Sequence, residues 1–394
     1  MAEPEVSKDR IPPGVLLLTV GAGFVTLTRA MTLSFLAVKL QQTFGLTPMM
    51  IGLLLGFGSL TGAIAGPFAG ALSDRTGRKV MLSLVLGTLS ISTLVLGLAE
   101  SVLLFSVAQC VAATAMSLYG PISRALMSDL CTERTRLKYF SWRYTASNAG
   151  WVVGPLIGVG AGLASTPLFL VGACVYGAMA LLLYRSYRPA AVDPDEPKAL
   201  RPGVMASIRE AFGNSALVYF TLGSTLFVAV YGQWSATLAP YLVENMKDGA
   251  TIYAYLLSIN GLVVLTASAF TRPMIERVGP LRALLLGSGL LVVSQLCFSV
   301  SDGLAGFAAS MVVFTLGEIL VVPAEYMLVD SISYAKNRGR SFGAHSLSAV
   351  GGFIGPTFGG AALELLGGSA MFLLFAAFII LGTIFFFAGA GKQR

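Results

Sequence analysis

The sequence is dominated by long apolar stretches that are separated by short polar or charged segments. Twelve of these stretches have about the 20 residues that a helix needs to cross a bilayer. Charged residues make up 11% of the chain, whereas about 25% is usual in soluble proteins. The sequence therefore predicts an all-α integral membrane protein with twelve transmembrane helices and no separate catalytic domain.

Lysine and arginine side chains fall mainly on one side of these spans, which we predict at 14–38, 48–70, 79–98, 102–127, 144–163, 166–185, 215–241, 250–271, 281–300, 304–328, 343–364 and 369–389. Of the 26 cations, only Lys39 and Lys247 fall in loops on the opposite side. Because cytoplasmic loops are enriched in cations, we predict that both termini are cytoplasmic, in the cytoplasmic (inner) membrane of a bacterium. The net charge of +7 is explained by this orientation, and we expect no nucleic-acid partner.

The chain carries signs of an internal duplication. A polar, proline-rich linker at 189–205 divides an N-terminal six-helix bundle, 1–188, from a C-terminal one, 206–394. An offset of 201 superimposes Gly154 on Gly355, Pro155 on Pro356, Arg124 on Glu325, Asp129 on Asp330, Gly150 on Gly351 and Gly158 on Gly359. Parallel repeats of six spans are typical of transporters whose halves rock about a central site. We therefore predict two pseudo-symmetric bundles around a central cavity.

The segment GALSDRTGRK, 70–79, lies between the second and third predicted spans. It resembles the loop signature of the major facilitator superfamily, and with the duplicated halves the resemblance covers nearly the whole chain. In that family the loop latches the bundles together on the cytoplasmic side. The resemblance implies this role for Gly70, Asp74, Arg75, Gly77 and Arg78, with Asp74 at the start of the eleventh helix and Arg78 against Asp129. The alternative is that cations such as Arg75 and Lys79 serve only to orient the protein.

The fifth span contains Gly150, Gly154, Pro155 and Gly158, and this pattern resembles the signature of antiporters that export drugs in exchange for protons. The eleventh span repeats it in Gly351, Gly355, Pro356 and Gly359. Glycine at every fourth position lets helices approach closely. Since both halves carry the pattern, a structural role in helix packing is as good an interpretation as export.

Two ionisable residues, Arg29 and Glu318, lie near the middle of predicted spans. A charge at that depth is costly, so it marks a functional site or has a partner. In the superfamily, helices one, four, seven and ten line the cavity, and Glu318 resembles the acid that takes part in proton coupling in multidrug exporters. We expect Glu318 to exchange its proton for substrate and Arg29 to pair with it or to meet the cargo. The alternative is a permanent Arg29–Glu318 ion pair that only holds the bundles together.

Further site residues are predicted from position alone. Arg124 and Glu325 occupy equivalent places in the two halves, and we predict that they form a cytoplasmic gate; the alternative is that each reaches separately to the headgroups. Candidate substrate contacts in the cavity, beside Arg29 and Glu318, are Tyr119, Tyr231, Gln233, Trp234 and Asn148. The single histidine, His345, is interpreted as structural.

The sequence thus predicts a proton-coupled secondary exporter of small amphipathic molecules, of the multidrug efflux type. It contains no nucleotide-binding motif or metal cluster, so we expect no enzyme activity, no cofactor and no metal. The predicted partners are a small-molecule substrate, protons and membrane lipids, and the protein is expected to be a monomer. Alternatives are an exporter of sugars, peptides, siderophores or another polar or anionic metabolite, a lipid transporter, or a receptor without transport activity.

Overall fold

The computed structural model of the chain describes residues 11–68, 73, 76–162, 165–186, 213–332 and 338–392. In these ranges twelve long helices form the framework of the protein. They are α1 (Pro13–Phe44), α2 (Pro48–Ala65), α3 (Arg78–Leu98), α4 (Val102–Asp129), α5 (Glu133–Gly160), α6 (Thr166–Ser186), α7 (Ser215–Asn245), α8 (Gly249–Val278), α9 (Pro280–Val300), α10 (Leu304–Ser331), α11 (Ser341–Leu366) and α12 (Gly368–Gly391). The all-α, twelve-helix prediction is confirmed.

Eleven helices of the described part are long and apolar enough to cross a membrane. The remaining long helix is α5, whose apolar portion is interrupted by polar residues such as Arg143 and Asn148. This helix also begins at Glu133, earlier than the predicted start at 144, so Arg143 belongs to the helix and not to a loop. The predicted linker at 189–205 lies outside the described residues.

Helix starts and turns follow local sequence signals. The hydroxyl of Thr47 and the side-chain oxygen of Asn214 accept hydrogen bonds from backbone N–H groups in the first turns of α2 and α7. Gly77 and Gly279 precede α3 and α9 with φ of 84° and 86°. Only glycine adopts such angles without strain, so both equivalent turns of the repeat depend on a glycine with positive φ.

The first helix of each half is irregular at the same depth. In α1 the regular helix gives way to a 3₁₀ turn at Leu33–Phe35, and in α7 it gives way to a π-helical turn at Trp234–Leu238. The offset of 201 superimposes Leu33 on Trp234. The duplication therefore extends from the sequence motifs to a break in the backbone of each half.

Helices α1 and α5 pack closely because α5 presents glycine to α1. A Cβ atom placed on Gly154 would lie 2.6 Å from the Cβ of Ala30, and one on Gly150 would lie 2.7 Å from the Gly23 carbonyl oxygen. A Cβ atom on Gly158 would lie 2.6 Å from the Phe35 ring. Side chains would therefore force the two helices apart.

The equivalent seam joins α7 and α11. A Cβ on Gly355 would lie 1.9 Å from the carbonyl oxygen of Ala229, and one on Gly351 would lie 2.0 Å from that of Thr225. Gly359 faces the Phe375 ring of α12. The glycine pattern thus accounts for close helix packing inside each half.

Lys39 was predicted in a loop, but it lies in a helix. The structure extends α1 to Phe44, and Lys39 is buried inside the N-terminal half with 6% of its surface exposed. Its Nζ donates a hydrogen bond to the carbonyl oxygen of Gly97, at the end of α3, at 3.0 Å and lies over the Phe169 ring. A cation at a helix C-terminus is favoured by the helix dipole, so this lysine joins α1 to α3.

Candidate functional site: a central cavity between the two halves

A cavity of about 830 Å³ lies between the two halves. Residues of α1, α2, α4 and α5 line it from the N-terminal half, and residues of α7, α8, α10 and α11 line it from the C-terminal half. Its volume is in the range of small-molecule sites. Among the described residues, Arg29 and Glu318 are the charged side chains that line it.

Arg29 presents its guanidinium group to the cavity from α1, one turn before the 3₁₀ break. Its Cζ atom lies 5.7 Å from the centre of the Trp151 ring of α5, a distance at which a cation is attracted to an aromatic face. The side chain is accessible to water-sized molecules, and it has no hydrogen-bonded carboxylate partner among the residues that the structure describes. The cavity therefore contains a positive charge that is free to meet an incoming group.

Glu318 faces the cavity from the middle of α10. Its Oε2 atom accepts a hydrogen bond from Asn260 Nδ2 at 2.9 Å, and the same nitrogen lies 3.0 Å from Thr315 Oγ1. The carboxyl group is therefore held by the neutral amide of Asn260 on α8, which also donates to Thr315 of α10. The described residues contain no ion pair between Arg29 and Glu318.

The remaining predicted cavity residues divide into two groups. Tyr231, Trp234 and Asn148 line the cavity. Gln233 does not: it is buried inside the C-terminal half and bonds to Thr237, one turn further along α7. Tyr119 is also outside the wall, because it packs in the apolar core of the N-terminal half. In this structure these two residues therefore do not contribute to the cavity wall, since position along a helix does not decide which face points inward.

Two wall residues were missed in the sequence. Asn260 positions Glu318, and Trp151 lies under Arg29. An amide in the middle of the apolar eighth span is a signal that could have identified Asn260, because buried amides need hydrogen-bond partners. Trp151 gave no such signal, since most tryptophans in a membrane protein pack or face lipid.

The proposed gate residues are apart in this structure. Arg124 is exposed near the cytoplasmic end of α4, whereas Glu325 is buried in the C-terminal half. The Glu325 Oε1 atom lies 2.9 Å from His345 Nε2 and accepts a hydrogen bond from Ser224 Oγ at 2.6 Å. No Arg124–Glu325 ion pair exists here. His345 therefore has a specific acidic partner that the sequence did not reveal.

The loop motif is described only in part. The Arg78 guanidinium contacts the Asp129 carboxylate and donates to the Ala125 carbonyl oxygen at 3.2 Å, so α3 and α4 are joined at their cytoplasmic ends. This is the contact that the family resemblance implies. Gly77 forms the turn before α3. The other residues of the predicted latch, Gly70, Asp74 and Arg75, lie outside the described residues.

At the opposite, outer end the two halves are in direct contact. Gln41 of α1 donates to Glu244 of α7, and the Met49 backbone N–H of α2 donates to Glu364 Oε2 of α11 at 2.9 Å. Below them, a Cβ on Gly52 would lie 2.0 Å from the Pro356 carbonyl oxygen. These contacts close the outer mouth, while the cavity extends toward the cytoplasmic ends of the helices. The structure therefore represents an inward-facing arrangement.

Comparisons with known proteins agree with this architecture. The family model of the major facilitator superfamily matches residues 18–349. The chain is 31% identical over 369 residues to the uncharacterised MFS-type transporter YqjV of Bacillus subtilis (strain 168), with 91% of this chain and 88% of that protein covered. It is 26% identical over 360 residues to the multidrug resistance protein MdtG of Salmonella paratyphi A (strain ATCC 9150 / SARB42), with 88% and 86% covered.

Among solved structures, the nucleoside transporter NupG superposes with a TM-score of 0.78 at 13% identity, with 97% of this chain and 99% of that chain covered. This likeness concerns the fold. The match of the family model over most of the chain, the similarity to YqjV and the twelve helices around a cavity lead to one conclusion: the chain belongs to the major facilitator superfamily and is a multi-pass transport protein of the bacterial cytoplasmic membrane.

Proposed function

We propose that the protein is a proton-coupled exporter of small amphipathic molecules that works by alternating access. The observation that carries this proposal is the setting of Glu318, which lines the cavity and is held by the neutral amide of Asn260 rather than by a cation. Removal from water disfavours the charged form of a carboxyl group, and an approaching cation favours it. A carboxyl group in this setting binds a proton in one state and releases it in another.

The exchange of cargo for a proton follows from the single negative charge that Glu318 contributes to the cavity. A proton and a positively charged group of the cargo both neutralise Glu318, so they compete for it and are carried in opposite directions. The walls support amphipathic cargo, because Trp151, Tyr231 and Trp234 offer aromatic faces to apolar groups of varied shape. The similarity to MdtG, a multidrug resistance protein, supports the same substrate class.

A second candidate is an exporter of a polar or anionic metabolite, such as a sugar, a peptide or a siderophore, or a lipid transporter. The observation that favours it is Arg29, which is accessible in the cavity and lacks a carboxylate partner among the described residues. A guanidinium group binds carboxylate and phosphate groups through paired hydrogen bonds. Cargo with such a group would use Arg29 as its main anchor.

The test is proton-driven uptake into inverted membrane vesicles with two probes, ethidium as a cationic dye and calcein as an anionic dye. In Glu318→Gln we expect ethidium uptake to fall to the level seen without a proton gradient, while the purified variant still binds the dye, more weakly, through the aromatic walls of the cavity. Glu100→Gln is the matched control, because Glu100 is an exposed acid between α3 and α4, outside the cavity wall. Gradient-driven uptake that is unchanged in Glu318→Gln contradicts the proposal. Calcein uptake that is lost in Arg29→Gln favours the second candidate.

A further inference from the structure

A buried polar cluster lies inside the C-terminal half, outside the cavity wall. Glu325 of α10 and His345 of α11 are 7% and 3% exposed, and Ser224 of α7 lies between them. His345 Nε2 lies 2.9 Å from Glu325 Oε1, and Ser224 Oγ lies 2.6 Å from that oxygen and 3.3 Å from the nitrogen. A carboxyl group and an imidazole are thus held together in a largely buried site.

The contacts of His345 show where this cluster can bind a proton. The Thr221 hydroxyl lies 3.4 Å from His345 Nδ1 and donates to the Leu217 carbonyl oxygen at 2.8 Å. The 2.9 Å contact between His345 Nε2 and Glu325 Oε1 needs at least one hydrogen, on either atom. A carboxyl group and an imidazole can each gain and lose a proton, so the pair has the chemistry of a proton-binding site.

The cluster lies on the cytoplasmic side of the cavity acid. Glu318 and Glu325 are seven residues apart on α10, and Ser224 and Tyr231 are seven apart on α7. Seven residues are about two helical turns, or about 10 Å, so each pair lies on one face of its helix. The helices run in opposite directions, which places Tyr231 at the level of Glu318 and Ser224 at the level of Glu325.

Tyr231 is a cavity-wall residue on the same helix as Ser224. Its ring packs edge-on against Phe314, and its hydroxyl is buried without a hydrogen-bond partner among the described residues. A hydroxyl group both accepts and donates a hydrogen bond, so it is suited to pass a proton from one acid toward the other.

We propose that Glu325 and His345 form a second proton-binding site, which receives the proton released by Glu318 and delivers it to the cytoplasm. This inference rests on the proposed proton-coupled function. In the transfer, Glu318 goes from carboxylic acid to carboxylate, and the pair, starting as carboxylate and neutral imidazole, gains the proton. It then releases the proton to water on the cytoplasmic side. The inward-facing arrangement of the structure is the state in which this release takes place.

Few other groups act on this site. Ser224 and Thr221 face it from α7, and both are neutral. The Tyr326 ring of α10 lies 6.4 Å from the His345 ring, and Arg124 is a charged group that α4 of the other half places near its cytoplasmic end. Among the described residues the proton balance of the pair therefore depends mainly on Glu325 and His345 themselves.

The first test uses the fact that the chain contains one histidine. The protein is purified with a histidine-free tag, labelled with ¹⁵N-histidine and placed in lipid nanodiscs, so its nitrogen NMR spectrum reports only His345. We expect one ring nitrogen to lose its hydrogen in a single step as the pH of the sample is raised. The step should be displaced in Glu325→Gln and unchanged in the Glu100→Gln control. A ring that keeps one protonation state throughout the series overturns the proposal.

The second test measures transport in proteoliposomes with ethidium as the probe. His345→Gln preserves a hydrogen bond to Glu325 but cannot carry a proton, and Tyr231→Phe keeps the ring and removes the hydroxyl. We expect each to slow proton-driven transport by about a hundredfold, the lower end for loss of a proton-transferring group, with dye binding and melting temperature retained. Transport at the wild-type rate and with the wild-type pH profile in His345→Gln overturns the relay.

The two proposals fail in different ways. If transport stays proton-driven in Glu318→Gln, the proposed function is wrong, whatever the histidine spectrum shows. If Glu318→Gln abolishes coupling and His345→Gln does not, the proposed function stands and the second proton site is refuted. Should His345→Gln not fold, the nitrogen spectrum of the wild-type protein still decides the outcome.

Discussion

Replacing Gly355 by alanine tests whether backbone contact holds the C-terminal half together. The added Cβ would lie 1.9 Å from the Ala229 carbonyl oxygen, against at least 3.4 Å for an ordinary contact, so α7 and α11 must separate by roughly 1.5 Å. Overpacking of this kind costs about 1–3 kcal/mol. Alanine also favours the helical state over glycine by about 1 kcal/mol, which masks part of the loss.

A second variant removes this ambiguity. Gly289 lies in the interior of α9 with no atom within 4 Å of its added Cβ, so Gly289→Ala gains the same helix preference without the clash. The difference between the two variants isolates the steric cost, about 1–3 kcal/mol in favour of Gly289→Ala. In thermal unfolding of the detergent-purified protein this corresponds to a gap in Tm of about 2–4 °C per kcal/mol. Equal melting temperatures would refute the close-packed seam.

Two further predictions concern the mouths of the cavity. Arg124→Glu and Glu325→Arg should each shift the protein away from the outward-facing state, and the double variant should recover part of that shift because the charges attract again when the inner mouth closes. A coupling energy of about 0.5–3 kcal/mol is expected from spin-label distances at the inner mouth, and a double variant no better than the worse single one contradicts the gate. Glu364→Gln removes a negative charge from the N-terminus of α2 at an exposed site, which costs about 0.5–1 kcal/mol and shifts the protein toward the outward-facing state by about two- to fivefold. Distances between spin labels on the outer ends of α2 and α11 measure this shift, and an unchanged distribution contradicts it.

The fold was predictable because the bilayer restricts the choices. Length and polarity of the apolar stretches decide the number of helices, and the distribution of cations decides their orientation. The repeat was visible in short motifs such as Gly154-Pro155 and Gly355-Pro356. The ends were less predictable: Lys39 and Arg143 were assigned to loops, and burial or helix extension kept them in helices.

The depth of the site residues in the membrane was predictable from the sequence, but the direction in which their side chains point was not. Arg29 and Glu318 stood out because ionisable groups at mid-span are rare, and the structure places both at the cavity. Gln233 and Tyr119 are also polar and near mid-span, yet they face the interiors of their own halves. The partner of His345 was hidden for a similar reason, since Glu325 lies twenty residues away on another helix and only tertiary packing joins them.

Helix α11 packs closely against neighbouring helices on two sides, and this limits which substitutions it can accept. Gly351 and Gly355 face α7, while Gly360 faces α2 so closely that a Cβ would lie 2.4 Å from the Pro48 carbonyl oxygen. Phe358 and Leu365, in contrast, are 54% and 72% exposed toward the bilayer. Substitutions should therefore be tolerated only along the lipid-facing strip of this helix. A methyl group added at the glycines that face α7 disturbs the C-terminal half, and one added at Gly360 disturbs the contacts that close the outer mouth.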